Sequence, residues 1–423
     1  MIQAVRWLRR DARRKNNVSK PRGSPVPDSQ ASEAPALAPK ARREPLPALS
    51  GLRFFLAGYV LLFHFAPLFF GGSVFARNFV RAGSSAIPCF FLLSGFILTY
   101  AHVVDSDHLD QPRRQFRVAR FLRIYPAYFL AFLCSAPFAL VQFRHIAVTI
   151  HTFIDIGFFL LLLQTWVPGL WSYWNYPAWS LSVEAFFYVL FPLMVSLMFR
   201  PRLNYRVVLG AVWISGLIAP VAMLGTTRFD WLLSSPPMHL PEFAFGMILG
   251  NRLLTLRSAR PPLLSMHDRT SAVHERACGW TVPIAAAILI ACYGSGWFPK
   301  SLIDHGLFAP LIGCVIWGLA RGRGWFSYLL GSKPLVYLGE ISFGVYIFQF
   351  PVFTACFVLA TRLRIPWNTR LTFLACCAIL VCASCVSFEL IEKPLRRAGM
   401  RHYFRGPPVA TPPLATPAVV AAA

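Results

Sequence analysis

Apolar residues in this chain come in long runs separated by short, strongly basic stretches. Eleven runs can be marked, at roughly 51–70, 83–101, 121–143, 146–168, 178–199, 206–225, 237–254, 280–298, 302–320, 335–360 and 370–391. Stretches such as PCFFLLSGFILTY and PIAAAILIACYGSGWF carry no charge over a length that suits a membrane-spanning helix. The pattern predicts an all-α, polytopic transmembrane helical bundle.

The arginines limit how many runs cross. The N-terminal tail is basic, as are 113–123, 200–206, 251–276, 321–333 and 393–405. Positive stretches stay on the cytoplasmic side. If all of these do, both termini are cytoplasmic and the number of crossings is even. One run must then fail to cross, and 146–168, which contains His151 and Asp155, is singled out. Irregular backbone at membrane depth is tolerated only where protein or water covers it. The expectation is ten crossings plus one irregular or re-entrant segment. The predicted organisation is a disordered basic cytoplasmic tail over 1–48, a membrane domain over 49–397 and a low-complexity tail over 398–423.

Composition agrees with this layout. Of the 423 residues, 56% are hydrophobic and 15% aromatic, and the mean hydropathy is +0.53. A net charge of +24 raises the question of nucleic acid, but the basic residues lie between apolar runs and no nucleic-acid motif accompanies them. They read as topology determinants and as anchors for anionic lipid or ligand, and nucleic acid is excluded as a partner. Nine of the ten cysteines lie inside apolar runs, Cys278 stands near a loop, and no CxxC metal pattern occurs. No metal is expected. The first 48 residues lack the apolar core of a cleavable signal peptide.

Ionisable groups within apolar runs are costly and mark function by default. Arg53 and His64 lie eleven positions apart in the first run. At 100° per residue they are about 20° apart on one face, separated by roughly 16 Å along the axis. Taken singly, the arginine is a topology anchor or a ligand group, and the histidine a packed core residue or a catalyst. Sharing one face weakens the bland alternatives. Arg117, Arg120 and Arg123 precede the third run, and Arg120 and Arg123 project together as i,i+3 neighbours. Paired guanidiniums there serve either as a topology signal or as a bidentate phosphate grip. Trp171, Trp174 and Trp179 mark an interface. Glu184 follows one turn inside an apolar helix, as part of an ion pair or of a site. Glu242, in HLPEFAFGMILG, is read as structural.

In order along the chain, Arg53-x10-His64, FFLLSGFIL (90–98), RFLRIYP (120–126), PAWSLSVEAFFY (177–188), LPEFAFGMILG (240–250), LGEISFGVYIFQFP (338–351) and IEKPLRR (391–397) resemble the acyltransferase type 3 family of membrane O-acyltransferases. The resemblance covers about 51–397. It implies that Arg53 and His64 form the family's essential arginine–histidine motif. It likewise implies that Arg120 and Arg123 form the RxxR motif associated with cytoplasmic acyl-CoA, and that Glu184 is the acidic position of WSLxxE. Two departures stand out. Where the family often has a histidine near YxxH, this chain has Tyr346 and Gln349, so no catalytic role is assigned there. The second run reads GSSAIPCFF where small and branched apolar residues are commoner. Some relatives carry a fused extracytoplasmic esterase-like domain; only a short tail follows Arg405 here, and a stand-alone transferase is expected.

The resemblance therefore implies transfer of an acyl group, acetyl first, from cytoplasmic acyl-CoA to a sugar hydroxyl of a cell-surface glycan or lipid-linked sugar, in a bacterial inner membrane. His64 would act as general base or as covalent acyl carrier. Glu184 would orient or balance a site group such as the imidazole. A small-molecule glycoside is the alternative acceptor. From a different class, a secondary transporter or flippase of a glycan precursor also uses buried Arg, His and Glu. Against it, no internal repeat relates two halves, and the ionisable residues cluster in the first half.

Overall fold

The computed structural model describes residues 43–104, 108–143, 150–171, 173–199, 204–225, 232, 234–258, 269–322 and 324–404. Residues 1–42 and 405–423, most of the two predicted tails and both termini, lie outside the described residues, as do 146–149 and parts of the basic stretches at 200–206, 251–276 and 321–333. The chain divides into Met1–Glu44 and Pro45–Ala423, and every element below belongs to the second unit.

That unit is helical. In chain order the helices are α1 (Pro47–Phe69), α2 (Val74–Arg81), α3 (Ala86–His102), α4 (Arg113–Phe143), α5 (Ile150–Leu160), α6 (Trp179–Met198), α7 (Tyr205–Ala222), α8 (Leu240–Ser258), α9 (Arg269–Ser295), α10 (Lys300–Asp304), α11 (Ala309–Ala320), α12 (Trp325–Leu330), α13 (Lys333–Arg362), α14 (Arg370–Ser387) and α15 (Lys393–Phe404). A π-turn, Phe388–Glu392, joins the last two. The sole sheet among the described residues is a two-residue hairpin in which Val103 opposes Leu109. Residues 47–48 and 398–404, read from the sequence as tail, are helical. Proline at the first position of α1 removes an N–H that would have no partner there and presets the helical φ.

Among the described residues, eight stretches are long and apolar enough to cross a membrane, and Trp280–Ser295 is a shorter apolar helix. The run at 146–168 differs. Its helix α5 has 11 residues, about 16 Å at 1.5 Å per residue, roughly half a hydrocarbon core. Beyond it Leu162 takes a left-handed φ of 58° and a 3-10 turn spans Gln164–Trp166. Protein groups satisfy carbonyls of this irregular backbone. Tyr128 and Tyr125 of α4 donate to the carbonyls of Phe159 (2.5 Å) and Leu160 (3.2 Å). Ser182 of α6 donates to Leu162 O at 2.6 Å, and buried Gln164 donates to Ala178 O at 3.0 Å.

Lipid gives helices no hydrophobic reason to associate, so close approach depends on small residues. The α3/α8 crossing illustrates this: a Cβ on Gly95 would stand 2.1 Å from Phe243 O, and one on Gly246 would stand 1.9 Å from Leu92 O. Gly250 completes a Gly-x3-Gly stripe against Phe96. On α1, Ser50 and Gly51 admit Gly339 of α13 and Leu330 of α12 equally closely. These contacts hold α3 against α8, and α1 against α12 and α13.

Candidate active site

A cavity of about 60 Å³ opens between α1, α3, α4, α6 and α13. Its polar wall is formed by Arg53, Ser94, Arg123, Glu184 and Tyr188. Glu184 accepts from Tyr188, one helical turn on, at 2.5 Å, and from Ser94 at 3.4 Å. The fields of Arg123, Glu184 and Arg120 all reach Arg53. Three guanidiniums and one carboxylate therefore lie within electrostatic reach in this region. Like charges in a low dielectric repel strongly, and an arrangement with excess positive charge suits an anion.

Arg120 does not line the cavity. It lies one turn before Arg123, its guanidinium 5.8 Å from the Phe116 ring, and its Nε is buried without a hydrogen-bond partner. Arg117 is exposed and turns back to the Arg113 carbonyl at 3.4 Å. The IEKPLRR motif closes on the same region. Gly399 of α15 packs against Leu122, and Arg396 is within electrostatic reach of Arg120. Glu392, in the π-turn, accepts from Ser387 at 3.1 Å, and its charge is felt by Arg396 and Arg123.

His64 occupies the other end of α1 and does not line this cavity. Its Nδ1 lies 3.1 Å from Oε1 of Gln349, a residue with 0% exposure. The Gln349 amide nitrogen donates to the Tyr346 carbonyl at 2.7 Å. A carbonyl only accepts, so this bond fixes which way the amide points and turns Oε1 toward the imidazole. Nδ1 must then carry the proton, and Nε2 presents a lone pair. Of the two roles expected for Glu184, orienting or balancing a site group, the imidazole's hydrogen-bond partner is Gln349, and Glu184 lies at the arginine end, where its charge reaches Arg53. Tyr346 connects the two regions. It lines the cavity, its hydroxyl is held by Pro177 O (3.0 Å) and Ser180 Oγ (2.7 Å), and its carbonyl holds Gln349.

Sequence reasoning groups His64 with Arg53 and Glu184 and sets Arg120 and Arg123 apart. The structure instead brings Arg53, Arg123 and Glu184 to one cavity and leaves His64 at the other end of α1. Sequence reasoning also assigns Gln349 no role and passes over Tyr188 and Ser94. Tyr188 was findable as an i,i+4 partner on the Glu184 face. Gln349 is 285 positions from His64, and no local pattern joins them. Glu242 pairs instead with His239, Nδ1 to Oε1 3.9 Å, both buried and away from the cavity. Among the described residues no group of three or more His, Cys, Asp or Glu is placed to hold a metal ion.

The profile of the acyltransferase domain family Acyl_transf_3 matches residues 46–389. Acyltransferase MdmB of Streptomyces mycarofaciens is 28% identical over 405 residues, covering 87% of this chain and 95% of its own. Peptidoglycan O-acetyltransferase OatA of Listeria monocytogenes is 23% identical, covering 86% of this chain, and the putative peptidoglycan O-acetyltransferase YrhL of Bacillus subtilis is 25% identical, covering 85%. The chain spans 58% and 56% of the length of those last two. No solved structure matches it. The profile match over residues 46–389 takes in Arg53, His64, Arg120, Arg123 and Glu184, and on it the chain belongs to the Acyl_transf_3 acyltransferase family and is an acyltransferase.

Proposed function

We propose that the protein moves an acyl group, acetyl first, from cytoplasmic acyl-CoA to a hydroxyl of a cell-surface glycan or lipid-linked sugar, within a bacterial cytoplasmic membrane. The observation that carries this reading is the division of labour along α1: Arg53 stands in an arginine-rich cavity, and His64 presents a lone pair at the far end. Membership of an acyltransferase family displaces the transporter alternative. The names of the peptidoglycan O-acetyltransferases support a carbohydrate acceptor and an acetyl group.

The donor phosphates lie against Arg120 and Arg123, with Arg53 at the cavity wall. The unpartnered Arg120 Nε is a donor that a phosphate oxygen would satisfy. The basic stretches support a cytoplasmic position for this end. The pantetheine arm follows the cavity toward Tyr346, one turn of α13 from Gln349. His64 Nε2 takes the proton of the acceptor hydroxyl as that oxygen attacks the thioester carbonyl carbon. A C–O bond forms, the C–S bond breaks, and the imidazolium returns its proton to the departing CoA sulfur. Glu184 balances Arg53 and Arg123 and, through Tyr188 and Ser94, keeps the cavity wall in place.

The test uses full-length protein in nanodiscs, measuring acetyl-CoA affinity and thioester consumption for wild type, His64→Ala and Arg120→Ala. His64→Ala is expected to keep donor affinity and lose turnover by ~10²–10⁴-fold, the usual worth of a positioned base. Arg120→Ala is expected to weaken binding. A wild type that neither binds nor consumes acetyl-CoA or a longer acyl-CoA would sink the proposal.

A further inference from the structure

Two rings that pack against His64, those of Tyr176 and Phe350, also line a second pocket, which shares no lining residue with the arginine cavity. The Tyr176 ring stands edge-on to the imidazole, centroids 5.2 Å apart and planes at 88°, and Phe350 does the same at 6.4 Å and 82°. Tyr176 and Phe350 lie nearly parallel, at 24°. Behind them is a pocket of about 300 Å³ whose walls include Phe138, Tyr173, Trp174, Tyr176, Phe350 and Thr354. That volume is at the small end of the range for ligand sites, which are mostly apolar with a few polar groups at fixed positions.

The pocket is firmly built. The Trp174 indole N–H donates to Phe132 O at 2.8 Å, and its ring stacks on Phe132 at 4.4 Å and 9°. Asn175 donates to Ile347 O at 3.0 Å, fastening the segment that carries Tyr173 and Tyr176 to α13. The wall is largely aromatic and uncharged, and Tyr173, Tyr176 and Thr354 are the hydroxyl-bearing residues in its lining. This is the opposite chemistry to the arginine cavity, so it does not suit the polyanionic donor. On the other flank of His64, Lys300 pairs with Asp304 and donates to Ser84 at 3.0 Å, Ser84 donates to Asp304 at 2.6 Å, and the charge of Lys300 reaches the imidazole.

From this arrangement the geometry points to the Tyr173–Trp174–Tyr176–Phe350 pocket as the acceptor subsite, holding one pyranose ring of an uncharged glycoside with a hydroxyl directed at His64. The inference rests on the transferase reading and adds the place and character of its acceptor. A pyranose has a face of C–H bonds, weakly positive, which suits the negative face of an aromatic ring, and an equatorial rim of hydroxyls for the polar groups. An acyl tail fits this pocket less well, since aliphatic chains gain nothing from aromatic faces and hydroxyls that surrounding lipid does not already supply. The volume limits the site to a single ring, with any further glycan outside.

The test uses full-length protein in nanodiscs containing acetyl-CoA, exposed to diazirine-bearing methyl glycosides of glucose, galactose, mannose, rhamnose and N-acetylglucosamine, and separately to diazirine-bearing palmitate. Thioester consumption is followed in the same samples. The expected result is glycoside labelling of peptides spanning 173–176 or 350–354, competed by the unlabelled sugar, reduced at least tenfold in Tyr176→Leu and kept in Tyr176→Trp. Labelling there by palmitate and by no glycoside makes the pocket a lipid-tail site and overturns the inference. No labelling there by any glycoside, with thioester still consumed, overturns it while leaving the transferase reading intact. Loss of thioester consumption in wild type brings down that reading first, whatever the labelling.

Discussion

The imidazole of His64 and the amide of Gln349 form a single hydrogen-bonded unit, 3.1 Å between Nδ1 and Oε1, with the amide locked in turn by the Tyr346 carbonyl. The histidine's tautomer is thereby set by a residue that never needs to touch substrate. Gln349→Ala is expected to leave acyl-CoA affinity unchanged and to lower turnover roughly tenfold or more, because the proton is then free to occupy either nitrogen. Gln349→Glu keeps an acceptor oxygen in place but adds a charge that favours the imidazolium. Activity returns in part, and the acidic limb of the rate profile moves to higher pH. Stopped-point thioester assays from pH 5 to 9 check both. A purely structural role for Gln349 would leave the shape of that profile unchanged.

The unpartnered Nε of Arg120 yields a prediction about which part of the donor it grips. Hydrogen bonds to charged groups contribute about 1.5–3 kcal/mol, so Arg120→Ala should weaken acetyl-CoA binding by roughly 10- to 100-fold. Acetyl-pantetheine, which lacks the nucleotide phosphates, should bind wild type and variant alike. Calorimetric titration of both donors separates this from a general loss of structure, which would weaken both.

Much of this architecture is legible in the apolar pattern, because lipid forces each crossing to be a long apolar helix. The shared face of Arg53 and His64 follows from helical geometry alone. The odd character of 146–168 also shows, in two ionisable residues and in the arithmetic of the basic loops. What periodicity does not encode is which faces meet. Gln349 sits in GVYIFQFP, an apolar run that says only that the amide is buried. It meets His64 because Gly339 and Gly51 let α13 and α12 lie close against α1. The pairing of Arg120 with Arg123 shows a related limit. They are i,i+3 neighbours, yet only Arg123 faces the cavity, because Arg120 is turned toward Phe116.

Glu184 and Tyr188 test whether the carboxylate acts by charge or by position. Glu184→Gln keeps an acceptor for Tyr188 and Ser94 but removes a carboxylate whose charge reaches Arg53 and Arg120. The arginines then repel one another more, and a polyanionic donor relieves that repulsion better than before. Donor affinity is expected to rise and product release to slow, so turnover falls while the half-saturating acetyl-CoA concentration also falls. Tyr188→Phe removes the hydroxyl and keeps the charge, and should change affinity less than twofold. Equal effects from the two variants would mean that the hydrogen bond, and not the charge, governs the site.

The α3/α8 crossing allows a stability prediction that is independent of chemistry. A Cβ on Gly246 would lie 1.9 Å from a backbone oxygen, which cannot rotate away as a side chain can. Gly246→Val must therefore push the helices apart, and forced overpacking typically costs about 1–3 kcal/mol. Gly210 makes a control, because a Cβ there meets nothing within 4 Å and it also lies within a helix. Gly210→Ala should be neutral or slightly stabilising, since alanine has the better helix propensity. Thermal unfolding of the two variants in one detergent, followed by size-exclusion chromatography, compares them directly. The ordering should be Gly246→Val well below wild type and Gly210→Ala at or above it. Because α3 also carries Ser94, which bonds Glu184, the separation of α3 from α8 should lower acetyl-CoA affinity in Gly246→Val even at temperatures where the protein remains folded.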